Sequence, residues 1–436
     1  MGECHMRTKL ITLCLLVFSP SLFASITIEH WTTDNGARVY YAAAPELPIV
    51  DIQLTFDAGA ARDSGKDGVA LLTNALLSEG AGNLNAQQIA EKFDELGARF
   101  GSDSERDMAI LKLRSLSEEK VLNAALDTLA LVLTKPTFPK DAFDREQKRM
   151  LIGIEQRKQS PGELANEAFY KAIFKSHPYA TQPSGVESTV KSLTVDDLKS
   201  FYKQYYVTSN LVIAIVGAVD RSEAEKIANR LVKDLPKGTA PKAIPEVSAL
   251  ERSETIKIDH PSTQTHVLIG QPGVKRGDPD YYALYVGNHV LGGSGLVSRL
   301  SDEIREKRGL AYSSYSYFLP MREFGPFQLG LQTRNDQVDE ALKVVHELLK
   351  NFLEKGPTQE ELTASKKNLT GGFPLRISSN SKILGYVAMI GFYGLPLDYL
   401  DTFNAKVDAL TVADIQDAFK RRVSPDKLIT VLVGKQ

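Results

Sequence analysis

Cysteine is nearly absent: the 436-residue chain holds two, Cys4 and Cys14, both close to its start. A disulfide framework or a thiolate metal cluster is therefore excluded from the body of the chain. Histidine is also scarce. Beyond the first residues stand His30, His177, His260, His266, His289 and His346, and no two are four apart. No helix face can then carry the histidine pair that zinc hydrolases use. Neither sign of charge dominates, with 52 Lys and Arg against 54 Asp and Glu. That balance gives no electrostatic reason to expect nucleic acid or a membrane surface as partner. After the N-terminus, no apolar run is long enough to cross a bilayer.

What is present is ordinary globular material, 43% hydrophobic and 24% charged. The first residues are distinct. MRTK (6–9) supplies positive charge, LITLCLLVF (10–18) is a short apolar run, and SPSLFA (19–24) ends in a small residue. This is the pattern of a secretory signal over residues 1–24, cleaved after Ala24; an uncleaved anchor is the alternative. Cleavage would remove both cysteines and leave an exported, periplasmic or secreted, slightly acidic chain.

The chain repeats itself. Residues 193–217, LTVDDLKSFYKQYYVTSNLVIAIVG, match residues 410–434, LTVADIQDAFKRRVSPDKLITVLVG, without a gap. Each copy opens with a Thr-x-x-Asp pair, Thr194/Asp197 and Thr411/Asp414, which predicts a capped helix start, and closes with an apolar strand. Earlier in each half, VDIQLTFDAGA (50–60) and THVLIGQPGV (265–274) predict strands running into glycine turns. Residues 118–134 and 337–353 predict amphipathic helices, and Thr358 to Glu361 another cap. A proline-bearing stretch, 236–256, separates the halves. The expectation is an α+β fold of two duplicated domains, 25–238 and 239–436. Each is a mainly antiparallel sheet with helices packed on one face, the two related by a pseudo-twofold.

Three segments carry a resemblance: GVALLTNALLSEG (68–80), SHPYATQPSGVESTV (176–190) and LGGSGLVSRLSDEIREKRGLAYS (291–313). With the duplication, they resemble the insulinase/pitrilysin family of zinc metallopeptidases, the inverzincins, over nearly the whole chain. That family carries G-x-x-H-x-x-E-H on its first helix, two histidines binding zinc and the glutamate acting as general base. Setting Gly68 on the family's glycine places Leu71 and Ala75 at the histidines and Asn74 at the glutamate. The third ligand position falls at Gly153, with Glu155 nearby but out of register. Leu, Ala and Gly offer zinc no ligand, and Asn74 cannot take a proton from water. The resemblance thus implies a degenerate site and no cofactor, the helix at 68–80 being a core helix whose apolar residues fill the ligands' space.

The resemblance further implies a substrate-gripping pair in the second half, an arginine and a tyrosine seven residues on. Arg305 and Tyr312 have that spacing. Arg305 is expected near the end of helix 298–307, stopped by Gly309, and Tyr312 in a strand at 310–318. Read without the family, Arg305 is a surface ion-pair partner of Asp302 or Glu306 and Tyr312 a half-buried sheet residue. Other features read as structural. The Gly292–Gly295 loop lacks the Lys-[Ser/Thr] ending of a phosphate loop, His177-Pro178-Tyr179 reads as a turn, and Tyr281, Tyr282 and Tyr285 as core. The expected function is a non-catalytic subunit of a heteromeric metalloprotease. It would supply Arg305, Tyr312 and chamber wall, with 98–105 as an edge strand for peptide substrate, to a zinc-bearing relative. The alternatives are a non-proteolytic binding or structural homodimer, and an active metallopeptidase with an unrecognised site.

Overall fold

The computed structural model describes residues 26–435, so the expected signal segment lies outside the described residues. The first sheet has six strands in the spatial order Glu29–Thr32, Arg38–Ala43, Leu211–Gly217, Ile49–Phe56, Ala109–Leu116 and Arg99–Ser104. The second has five, in the order Glu254–Asp259, Ile429–Gly434, Gln264–Pro272, Pro326–Arg334 and Ser314–Phe318. Leaving aside the extra outer strand Glu29–Thr32, the two orders are one order. In each half the strand from the repeated segment runs parallel to one neighbour and antiparallel to the other. All the remaining pairings are antiparallel.

The repeat's capping boxes form as its sequence predicts. Thr194 Oγ1 accepts from Asp197 N at 3.3 Å, while Asp197 Oδ2 accepts from Thr194 N at 2.9 Å. Thr411 and Asp414 repeat this at 3.2 and 2.8 Å. Thr358 and Glu361 make a third such box. Each cap satisfies amides that a first helical turn leaves unpaired.

The helical layer lies on one face of each sheet, as expected. In the first half, helices Val69–Leu76, Glu119–Thr134, Val195–Tyr205 and Arg221–Val232 cover Val39, Ile52, Leu54, Leu113 and Ile215. The structure adds a feature that the sequence pattern did not specify: the opposite face of each sheet is covered by a helix from the other half. Helix Pro161–Phe174 presses Ala165, Phe169 and Ile173 onto Leu268, Val431 and Val433 of the second sheet. Helix Asn380–Tyr393 places Leu384, Val387 and Ala388 over Tyr40, Val212 and Val216 of the first. The fit is close: a Cβ on Gly270 would stand 2.9 Å from the Phe169 ring, and one on Gly391 2.6 Å from the Tyr40 ring.

A polar seam joins the halves. Buried Asp107 accepts from the Tyr179 hydroxyl, from Tyr393 Oη at 3.1 Å and from Arg322 N at 2.7 Å. The stretch between the halves is irregular up to the strand that starts at Glu254, but it is anchored. Ile244, Val247 and Leu250 are buried, and His177 Nε2 donates to Pro245 O at 2.8 Å. His177-Pro178-Tyr179 is thus a structural turn.

Candidate functional site

Helix Val69–Leu76 begins after Gly68, whose φ of 97° suits glycine, and it is shorter than the quoted segment suggests. The carboxyl of Asp63 accepts from Gly68 N at 2.7 Å and Ala70 N at 2.9 Å, holding the helix start. Burial pushes Asp63 up to about 8 against the opposing pull of those two amides.

Asn74, which the resemblance sets at the general base, is buried. Its Nδ2 donates to Asp103 O at 2.6 Å and Ile110 O at 3.3 Å, and its Oδ1 accepts from Tyr206 Oη at 3.0 Å. The side chain therefore ties its helix to the two outer strands and to the end of helix Val195–Tyr205. Tyr206 is itself fully buried, and burial raises its phenol well above the usual range, so it stays a donor. Nothing in the sequence singled out Tyr206 beyond its place in an apolar register.

Leu71 and Ala75 are half-buried, a correction to the expectation that they fill a core; the buried face is Val69, Ala70, Leu72, Thr73, Asn74 and Leu76. Helix Lys140–Arg157 packs alongside, bringing Met150 within 3.0 Å of where a Cβ on Gly68 would sit. Gly153, one turn beyond Met150, faces open space, with no heavy atom within 4 Å of an added Cβ. The expected ligand positions 71, 75 and 153 lie on these two packed helices. Glu155 is exposed and paired with Lys158 at 2.6 Å. Among the described residues no three His, Cys, Asp or Glu side chains cluster as a metal ion requires.

Arg305 sits at the end of a short helix, Arg299–Ser301 continued by a wider turn Asp302–Glu306, and its Nε lies 3.4 Å from Glu306. Asp302 pairs instead with Lys307. Gly309, at φ 61°, ends the turn. The strand then starts at Ser314, not at residue 310, and this corrects the placement of Tyr312. It stands on the bend before the strand, 89% exposed, and is neither a sheet residue nor half-buried. Gly292 serves close packing, since a Cβ there would stand 2.4 Å from Ser316 Oγ and 2.5 Å from Leu300. Strand Arg99–Ser104 is one of the two edge strands of the first sheet, in keeping with the edge strand expected at 98–105, and its Asp103 O is taken by Asn74.

The duplicated sheets, and a helix pair without a metal-ligating cluster among the described residues, define a chain laid out like a zinc peptidase but lacking such a peptidase's set of ligands. The chain belongs to the M16 peptidase, or insulinase, family. Residues 38–184 match the model of that family, and residues 192–369 match the model of the M16 inactive domain. A solved M16 inactive domain from Pseudomonas fluorescens is 41% identical, covers 94% of this chain and 98% of its own, and superposes with a TM-score of 0.92. A non-peptidase homolog, YmxG, of Helicobacter pylori is 28% identical over 99% of both chains. An uncharacterised zinc protease, YmxG, of Bacillus subtilis is 27% identical over 82% of this chain and 86% of its own.

Proposed function

We propose that this chain is the non-catalytic subunit of an exported heteromeric zinc metalloprotease, with residues 1–24 as its export signal and 25–238 and 239–436 as its domains. The partner is a zinc-bearing relative that holds the metal and the general base. This chain supplies Arg305 and Tyr312 to substrate held in that partner's site, together with chamber wall and the edge strand Arg99–Ser104 for an extended peptide. The observation that carries the reading is a contrast. Asn74 is fastened by three hydrogen bonds where a general base would have to move a proton, while Tyr312 stands free in solvent. A guanidinium and a phenol both donate hydrogen bonds, as a developing oxyanion demands. The names of the inactive-domain and non-peptidase relatives support the non-catalytic half of the reading.

The test is to purify this chain with and without a relative that carries H-x-x-E-H, then measure complex formation by size-exclusion chromatography and cleavage of a peptide library. Cleavage only by the mixture supports the proposal. A homodimer that ignores the relative favours the structural alternative. Cleavage by this chain alone refutes the proposal.

A further inference from the structure

A cavity of about 460 Å³ opens beside helix Tyr281–Asn288. That helix follows the central strand Gln264–Pro272 as helix Val69–Leu76 follows Ile49–Phe56, and each meets the outermost strand of its sheet. An asparagine marks the junction in both halves. Asn288 Nδ2 donates to Ser316 O at 2.9 Å, as Asn74 Nδ2 donates to Asp103 O. The cavity is therefore the second half's counterpart of the degenerate metal site.

Its chemistry is not that of a cation site. None of the lining residues is acidic, and Arg376 is the lone Arg or Lys. Arg376 Nη1 donates to Tyr285 Oη at 2.5 Å; burial opposes its charge, while the phenols of Tyr285 and Tyr386 favour it. His289 also lines the cavity. Its Nε2 faces Asn368 Oδ1 at 3.2 Å and its Nδ1 faces Ser365 Oγ at 3.0 Å. An amide oxygen only accepts, so the hydrogen-bond network assigns the proton to Nε2. Burial holds this imidazole below its ordinary value and hence neutral at neutral pH. One positive charge without a counter-charge remains, beside the stacked rings of Tyr281 and Tyr285 and the apolar Val297 and Phe318.

A single guanidinium matches a singly charged, planar, two-oxygen anion, which it grips through parallel hydrogen bonds. A phosphate dianion would leave charge uncompensated here. The volume lies within the range of small-ligand pockets. Val297, which lines the cavity, is 85% exposed, apolar surface suited to the chain that carries the anion.

We propose that this cavity binds a peptide carboxylate through Arg376, either a C-terminus or an acidic side chain. The inference rests on the chamber reading only for the ligand's being a peptide. The test uses the full chain without any catalytic partner, so the two readings fail separately. Fluorescence anisotropy would compare three labelled peptides of one length: a free acid without Asp or Glu, a C-terminal amide containing one Glu, and a C-terminal amide without acidic residues. At least one of the first two should bind about tenfold or more tighter than the third, the range expected of a charge-assisted hydrogen bond, and the tighter of them identifies the source of the carboxylate. Arg376→Gln should erase that preference and Arg376→Lys should keep part of it. Ser294→Asp, which adds a competing carboxylate to the lining without touching Arg376, should also erase it and covers the case of a misfolded Arg376→Gln. Equal binding of all three peptides by the unmodified chain overturns the proposal, as does an undiminished preference in folded Arg376→Gln or Ser294→Asp.

Discussion

Tyr206 Oη donates to Asn74 Oδ1 at 3.0 Å, and both side chains are buried. An amide at position 74 can accept from Tyr206 with one end and donate to Asp103 O and Ile110 O with the other. A carboxylate cannot do both. Asn74→Glu would turn two donor contacts into oxygen facing oxygen in a buried place, so we expect it to destabilise the chain by about 3 kcal/mol or more. Tyr206→Phe, which leaves Oδ1 without a donor, should cost about 1–3 kcal/mol. Urea unfolding followed by circular dichroism checks both, and an unchanged midpoint in either variant removes the network's structural importance.

Metal binding should need four changes. Leu71→His, Asn74→Glu and Ala75→His restore two ligands and a base but leave the third position empty, so this triple variant is expected to hold no stoichiometric zinc. Gly153 opens onto free space, so adding Gly153→Glu meets no steric obstacle. Elemental analysis after dialysis should find zinc in the quadruple variant only; zinc at one per chain in the triple variant would contradict this geometry.

In the reconstituted complex, Arg305→Ala or Tyr312→Phe should lower turnover by roughly 10²–10³, the usual effect of losing an oxyanion donor. Folding should be unaffected, because Tyr312 is 89% exposed and Arg305 has only the neighbouring Glu306 as ion-pair partner. Full turnover in a normally assembled mutant complex would eliminate the role. Loss of assembly would make these residues part of the interface instead.

The two halves should not fold apart. Expressed alone, 25–238 leaves the Tyr40–Val212 face bare and the apolar side of helix Pro161–Phe174 without its sheet; 239–436 has the converse defects. Each fragment is expected to aggregate or stay unfolded, and co-expression to restore a soluble pair. Well-dispersed amide spectra from either isolated fragment would refute this.

His177 supplies a pH dependence. Its Nε2 donates to Pro245 O and its Nδ1 accepts from Tyr179 N at 3.1 Å, so protonating Nδ1 breaks the second bond. Burial lowers its pKa in the folded state, while the unfolded imidazole titrates near about 6.5. Between those values the unfolded chain binds more protons. The contribution is therefore full above about pH 6.5 and is lost as pH falls toward the folded value. The stability gap between the unmodified chain and His177→Gln, measured by urea unfolding at a series of pH values, should shrink on acidification; a constant gap would exclude the linkage.

Much of this was legible in the sequence. The gapless repeat foretold two strands in equivalent places, and Thr194, Thr358 and Thr411 foretold their helix caps, because both signals are local. The expected ligand positions 71, 75 and 153 and the expected base position 74 could be set on the sequence because a motif's spacing survives the loss of its chemistry. The partner of an amphipathic face was not. Phe169 and Val387 announce that their helices bury one side, but periodicity does not say against which sheet. Tyr312 was misplaced because aromatic, strand-prone residues continue upstream of Ser314, while Gly309 and the turn before it delay pairing. The Arg376 cavity left no signal, since its lining comes from four separated segments.

The exchanged helices bear on how such a chain could have arisen. Consider a single ancestral unit of half this length, with one sheet, one helical layer and one further helix. That further helix lies on the sheet of the other unit, so the unit alone leaves one sheet face bare; two copies complete each other. A self-associating dimer is therefore the natural antecedent, and gene duplication with fusion through 236–253 would have made the pairing intramolecular. Once fused, the copies were free to diverge. The exposed Tyr312 lies in one copy and the half-buried Leu71 and Ala75 in the other, and none of the three belongs to the apolar contacts that hold a helix of one half on the sheet of the other.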